Sequence, residues 1–174
     1  GGSDMEQKRL SNYCTTTNFF VDWSKSSLKR MKTLTIAQRM RNDGIKKIPR
    51  SYYETTLAST FRNLGYQFKH GITFPKVGIP TFRLNAGGIF NTGGNCLFVK
   101  KEFEGYFSNE YLLGILCTKL NVYIIKNFIN NTVNTQVDDM KKIPIPITDK
   151  HTKEKIESLV ESIITQLNKD PDYP

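Results

Sequence analysis

Seven arginines, Arg9, Arg30, Arg39, Arg41, Arg50, Arg62 and Arg83, all fall in the first half of this 174-residue chain. A guanidinium group is a planar fork that matches phosphate oxygens and the edge of guanine. Residues 1–87 carry 15 Lys and Arg against 5 Asp and Glu, a balance of +10; residues 88–174 carry 10 against 11, a balance of −1. A half this basic points to a polyanion partner, nucleic acid first among them, or to a solvated surface kept for solubility. Arg39, Arg41, Arg62, Lys69 and Lys76 are the candidate phosphate contacts, and each also reads as an ordinary surface cation. His70 reads as a turn residue or a further phosphate contact rather than a metal ligand or a base.

Other chemistries are excluded by spacing. Cys14, Cys96 and Cys117 form no CxxC pair, and neither His70 nor His151 has a Cys or carboxylate at ligand spacing. That pattern suggests reduced thiols in a cytoplasmic protein and argues against a zinc site. GGIFNTGG (87–94) lacks the GxxxxGK[ST] pattern of a phosphate-cradling loop. No run of eighteen apolar residues exists, so no segment reads as a membrane span. Gly1–Ser3 read as a cloning remnant, and the abrupt start after them reads as a piece of a longer protein.

The elements that must position these residues follow from periodicity and punctuation. TTTNFFVDW (15–23) reads as a short strand or an anchoring loop. SKSSLKRMKTLTIAQRMRN (24–42) predicts an amphipathic basic helix, opened by a serine cap and stopped by Gly44. Residues 46–66 predict a proline followed by two helical turns ending at Gly65. Residues 66–101 read as β: short aromatic and β-branched runs split by Gly, Pro and Asn. SNEYLLGILCTKLNVYIIKNF (108–128) predicts one helix of about 19 residues, apolar nearly all round and therefore buried. After it, INNTVNTQ is polar, VDDMKK suits a single helical turn, and each proline of IPIPI biases its predecessor towards extended backbone. Ile156, Leu159, Val160, Ile163, Ile164 and Leu167 form one apolar stripe on a final helix over 151–167. That helix either caps this domain or pairs outside it. The fold class expected is α+β: a small, twisted, largely antiparallel sheet on a buried central helix, with a basic N-terminal helix and an amphipathic C-terminal one.

Three of these stretches resemble a known family. YQFKHGITFPKVGIPTFRL (66–84) is similar to the YFxxGITW…R signature in the specificity half of fused restriction–modification and phage-exclusion adenine-N6 DNA methyltransferases. EYLLGILCTKLNVYIIKNF (110–128) resembles that family's yLLGiLNSKl…y helix. INNTVNTQVDDMKKIPIPI and the helix after it resemble the segment that closes a target-recognition domain, as in TaqI-type C-terminal domains and type I specificity subunits. The likeness covers roughly residues 66–167 in matching order. Where the family often has Trp the chain has Phe74, and where it has Asn-Ser the chain has Cys117-Thr118; both read as packing substitutions. The methyltransferase motifs are missing: there is no NPPY or DPPY tetrapeptide, no Gly-rich S-adenosylmethionine loop after a strand, and no PD…ExK nuclease cluster.

The resemblance implies a duplex-DNA reading domain over 4–150, a capping or docking helix over 151–168, and a tail over 169–174. It implies no catalysis and no cofactor in this chain; the parent would be a bacterial or archaeal cytoplasmic enzyme whose separate catalytic domain uses S-adenosylmethionine. Its partners would be double-stranded DNA and that methyltransferase domain. It singles out Thr73 and Arg83, which lie within the signature on what read as adjacent strands. Arg83 would either contact guanine or hold a hairpin by a buried salt bridge. Asn131, Thr132, Asn134, Thr135 and Gln136 can bond bases, phosphates or loop backbone, with Asn134 and Gln136 the base-contact candidates. A protein-docking domain and an RNA-binding module are the alternatives, and the aromatics sit mostly in core-like patterns, which weakens the second.

Overall fold

The computed structural model describes residues 13, 21–30, 63–90 and 93–170. The chain divides into two units, one formed by Thr17–Tyr66 and the other by Gly1–Thr16 with Gln67–Pro174. In the smaller unit, residues 25–30 are helical. The serine cap expected there is present: Ser24 Oγ accepts the Ser27 amide at 3.2 Å, and Asp22 accepts the Ser24 amide and the Ser27 hydroxyl. Leu64–Tyr66 form a single 3-10 turn. The rest of the predicted basic helix, with Gly44, and the helical turns before Asn63 lie outside the described residues, as do residues 15–20.

The larger unit is built on a three-stranded antiparallel sheet, β1 (His70–Pro75), β2 (Arg83–Ala86) and β3 (Gly94–Leu97), in the order β2-β1-β3. Strand alternation sends Ile72 and Phe74 inward, where both are buried, with Leu84 and Leu97 beside Ile72 across the ladder. Tyr13 extends the sheet past β2: its amide donates to the Phe82 carbonyl and its carbonyl accepts the Leu84 amide, both at 2.7 Å. Phe74, the position where the resemblance expects tryptophan, is 1% exposed, its ring 6.2 Å from that of Phe82.

Helix α1 (Asn109–Leu116) crosses the inner face of this sheet, burying Tyr111, Leu113 and Leu116. Ser108 caps it, accepting the Tyr111 amide at 3.0 Å. The continuous buried helix expected over 108–128 is not what forms. α1 ends at Cys117, and α2 (Lys119–Ile124) runs on into a π-helical turn, Ile125–Ile129, bent by 62° from α1. The corner is made by polar side chains. Thr118 Oγ1 donates to the Ile115 carbonyl at 2.8 Å and accepts the Asn121 amide at 3.3 Å, while Asn121 Nδ2 donates to the same carbonyl at 2.6 Å. Thr118 thus starts a new helix where the old one would have continued. Thr118 therefore does more than fill space, while Cys117 packs against the core. Beyond the corner Ile125 stays in the core and Ile129 packs against it, while Leu120, Tyr123 and Phe128 are exposed.

Val137–Met140 form the expected single turn, α3. Residues 143–147 join no strand ladder among the described residues, so IPIPI sets no sheet register. Its anchor is a side chain, the Tyr111 hydroxyl donating to the Pro146 carbonyl at 2.8 Å. Helix α4 (Lys150–Lys169) begins at an Asp149 cap and packs along α1. Gly114 is the crossing point; a Cβ there would lie 2.8 Å from Ile156 Cγ2 and 3.0 Å from Val160 Cγ2. Val160 is buried and Ile164 packs on the core, so the apolar stripe closes this domain. Among the described residues, no single helix is long and apolar enough to cross a membrane.

Candidate nucleic-acid interface

Thr73 and Arg83 are direct cross-strand partners, and Cys96 sits opposite Thr73 on its other side. The row Arg83–Thr73–Cys96 runs across the sheet on the face turned from α1, because Ile72, Phe74 and Leu84 occupy the inner one. Arg83 and Thr73 are both half-buried, and the Thr73 hydroxyl donates to the Arg83 carbonyl at 3.3 Å. That bond uses the hydroxyl proton and leaves the oxygen's lone pairs.

The remaining candidates do not gather around this row. Lys69 and His70 lie at the start of β1 and Lys76 just past its end, which separates the two lysines by roughly 20 Å along the strand. All three are exposed. At the Lys76 end the polar run docks: the Thr135 amide donates to the Lys76 carbonyl at 2.7 Å, the Gly78 amide to the Val133 carbonyl at 2.8 Å, and Asn134 bridges Val77. Asn134 is half-buried and Gln136 exposed. Arg39, Arg41 and Arg62 lie outside the described residues.

Much of the run has structural work. Asn130 Nδ2 donates to the buried Asp139 carboxylate at 2.7 Å, and the Gln136 amide donates to the same group at 2.8 Å. Thr132 donates its amide and hydroxyl to Asn130 Oδ1, and Lys126 Nζ closes on the Thr132 carbonyl at 2.9 Å. Thr135 is 1% exposed and so cannot reach a ligand. The polar composition therefore feeds the loop's own backbone, with Asp139 as its hub.

Two residues that sequence reasoning passed over fix the other end of the sheet. Asn85 is buried; its Nδ2 donates to the Lys69 and Gly88 carbonyls at 3.1 Å, and its Oδ1 accepts the Gly88 amide at 2.9 Å. Gln67 clamps Phe90 by both backbone groups, at 3.2 and 3.0 Å. The signal for Asn85 was the NAGG sequence, an Asx residue ahead of a glycine pair, with Gly87 at φ +89°. Gly71, in the signature, lies where strands close up: a Cβ would fall 2.5 Å from the Leu97 carbonyl oxygen and 3.0 Å from Cys96 Sγ. Burial pushes the Cys96 thiol up to about 11 and Cys117 up to about 12, so neither is a nucleophile at neutral pH.

Charge is segregated more sharply than the two halves of the sequence reveal. From Thr55 to Lys101 there is no Asp or Glu, and the same holds from Tyr111 to Val137. The whole sheet, its connections and the α2 corner thus carry cations alone. Among the described residues, the carboxylates after Gly88 lie in the turns around Glu102 and Glu104, at the start of α1, in α3, and along α4 from Asp149 to Asp170. Several are paired with lysine there, including Lys141–Asp138 at 2.7 Å and Lys153–Glu157 at 3.8 Å. Helix α4 itself is near neutral, with four Lys against three Glu between Lys150 and Lys169, so the sheet and the α2 corner are the segments that carry cations without any acid.

No protein-family model matches the chain, and neither does any curated protein.

Proposed function

We propose that this chain reads duplex DNA as the target-recognition domain of an adenine-N6 DNA methyltransferase or restriction–modification enzyme. The observation that carries the reading is the acid-free sheet, with Arg83 and Thr73 in register on its outward face. A surface without carboxylates meets no local repulsion from a phosphate backbone, and a sheet face or its loops can approach the major groove. Lys69 and Lys76, at the two ends of β1, hold phosphates and fix orientation; Arg83 and Thr73, between them, meet base edges. The motif order described above supplies the link to adenine methylation. The catalytic domain, S-adenosylmethionine and the chemistry belong to the parent polypeptide, which works in a bacterial or archaeal cytoplasm.

The test is fluorescence anisotropy with a labelled duplex at low ionic strength. Each phosphate contact contributes a salt slope of about −0.9, so Lys76→Gln makes the slope shallower by about one on every sequence. Arg83→Ala weakens a cognate duplex by about tenfold or more while leaving random duplex nearly unchanged. Salt-insensitive binding, or affinity indifferent to Arg83, Lys69 and Lys76 together, would favour a protein-docking domain instead.

A further inference from the structure

We propose that the α2 corner takes an unpaired nucleic-acid base, stacked on Phe128 and Tyr123. These rings are exposed by 75% and 57%, and they touch each other edge to face with centroids 5.9 Å apart. The π-turn creates the pair. In a regular α-helix, residues five apart differ by about 140° around the axis, so Phe128 would point away from Tyr123. The wider turn, closed by the Asn130 amide on the Ile125 carbonyl at 2.7 Å, brings position 128 round onto the side of position 123. Asn127 Nδ2 takes up the Tyr123 carbonyl at 2.8 Å. The edge-to-face contact contributes about 0.5–1.5 kcal/mol, but most of both rings still faces water and forgoes the burial that an aromatic side chain can supply. A ligand with a flat apolar face supplies that burial.

The surroundings select a nucleic acid. Lys119 lies one turn before Tyr123, and Lys126 lies between the two rings in sequence. Lys126 Nζ donates to the Thr132 carbonyl, which fixes the ammonium beside the loop and leaves two further N–H groups for a phosphate oxygen. No carboxylate occurs from Tyr111 to Val137, and Asp139, which meets the loop through Asn130, is buried and bonded to the Asn130 side chain and the Gln136 amide. Asn131, exposed on the adjoining loop, has a side-chain amide of the kind that suits a base edge. Aromatic faces flanked by cations and free of acids are how single strands are held without sequence preference. This contact is separate from the duplex face, because it needs a base out of its stack and uses neither Arg83 nor Lys69.

The experiment uses the whole chain and a fluorescein-labelled oligo-dT of twelve nucleotides in low salt, read by anisotropy. Wild type binds, Phe128→Ala and Tyr123→Ala each weaken binding by about tenfold, and Phe128→Trp retains it. Because both rings are exposed, circular dichroism of the variants matches wild type. An absence of oligo-dT binding by wild type, or an unchanged affinity in the Phe128→Ala/Tyr123→Ala double variant, overturns the proposal. The duplex reading fails separately: Arg83→Ala leaves oligo-dT binding intact, and Phe128→Ala leaves the duplex salt slope intact.

Discussion

Replacing Gly71 by alanine tests whether the GIT signature is a packing requirement. The new methyl would stand 2.5 Å from the Leu97 carbonyl oxygen and 3.0 Å from both Cys96 Sγ and Phe98 Cδ1. An unstrained carbon–oxygen contact is about 3.3 Å or longer, so strand β3 has to retreat by roughly 0.8 Å. The obstruction is backbone, and no rotamer change relieves it. Overpacking of this kind costs about 1–3 kcal/mol, and stretching a ladder bond beyond range costs about 1 kcal/mol more. The restricted unfolded chain returns about 0.4–1 kcal/mol. The net loss is about 2–3 kcal/mol, which lowers the melting temperature by roughly 5–10 °C in a chain of this size. Gly94 in the neighbouring strand is the control, since a Cβ there meets nothing within 4 Å; Gly94→Ala should be neutral or stabilise by up to about 1 kcal/mol. Urea unfolding followed by circular dichroism compares the two. Equal midpoints for the two variants would refute the account.

At the α1–α4 crossing, Gly114→Ala should destabilise by about 1–2 kcal/mol despite alanine's better helix propensity, because the methyls it meets belong to β-branched Ile156 and Val160, which are stiff at χ1. In an Ile156→Ala background that loss should shrink or reverse, a coupling readable by a double-mutant cycle in urea. Cys96 and Cys117 should alkylate slowly at pH 8, Cys96 with about a hundredfold less thiolate than an ordinary cysteine, and both should react fast in urea; peptide mass mapping follows each thiol. The Asp149 carboxyl is held below the usual carboxylate range by the Thr152 hydroxyl and amide. Its folded value is depressed, so its support for the first turn of α4 is full above the unfolded value of about 3.9 and is lost as pH falls through the lower folded value. The Thr152 amide resonance should report that low midpoint, and Asp149→Asn should abolish the titration.

The α+β class, the last helix and the adjacency of Thr73 and Arg83 were legible because each rests on a repeating pattern. Ile156, Val160 and Ile164 recur at helical spacing, and alternation in HGITFP and RLNA assigns a face to every residue. The corner at Thr118 was not legible. Apolar periodicity runs through it unbroken, and it is decided by three hydrogen bonds among Ile115, Thr118 and Asn121. The TKLN sequence, a threonine three before an asparagine, was the available signal, and hydrophobicity masked it. Prolines at 144 and 146 speak against a helix but supply no pairing partner; the buried Ile143 and the Tyr111 hydroxyl hold that segment instead. For the candidate site, residue type picked out cations but not their placement. Lys69 and Lys76 are held apart by the length of β1, and the hub role of Asp139 depends on a fold-level meeting with Asn130 nine residues earlier.

The segregation of charge also has a kinetic consequence for the proposed duplex reading. On that reading a polyanion's field would pull the carboxylate-free sheet more strongly than the near-neutral α4, and would turn the unit before contact, within about 8 Å of the surface at physiological ionic strength. Added salt would then slow capture chiefly by letting the molecule arrive in unproductive orientations.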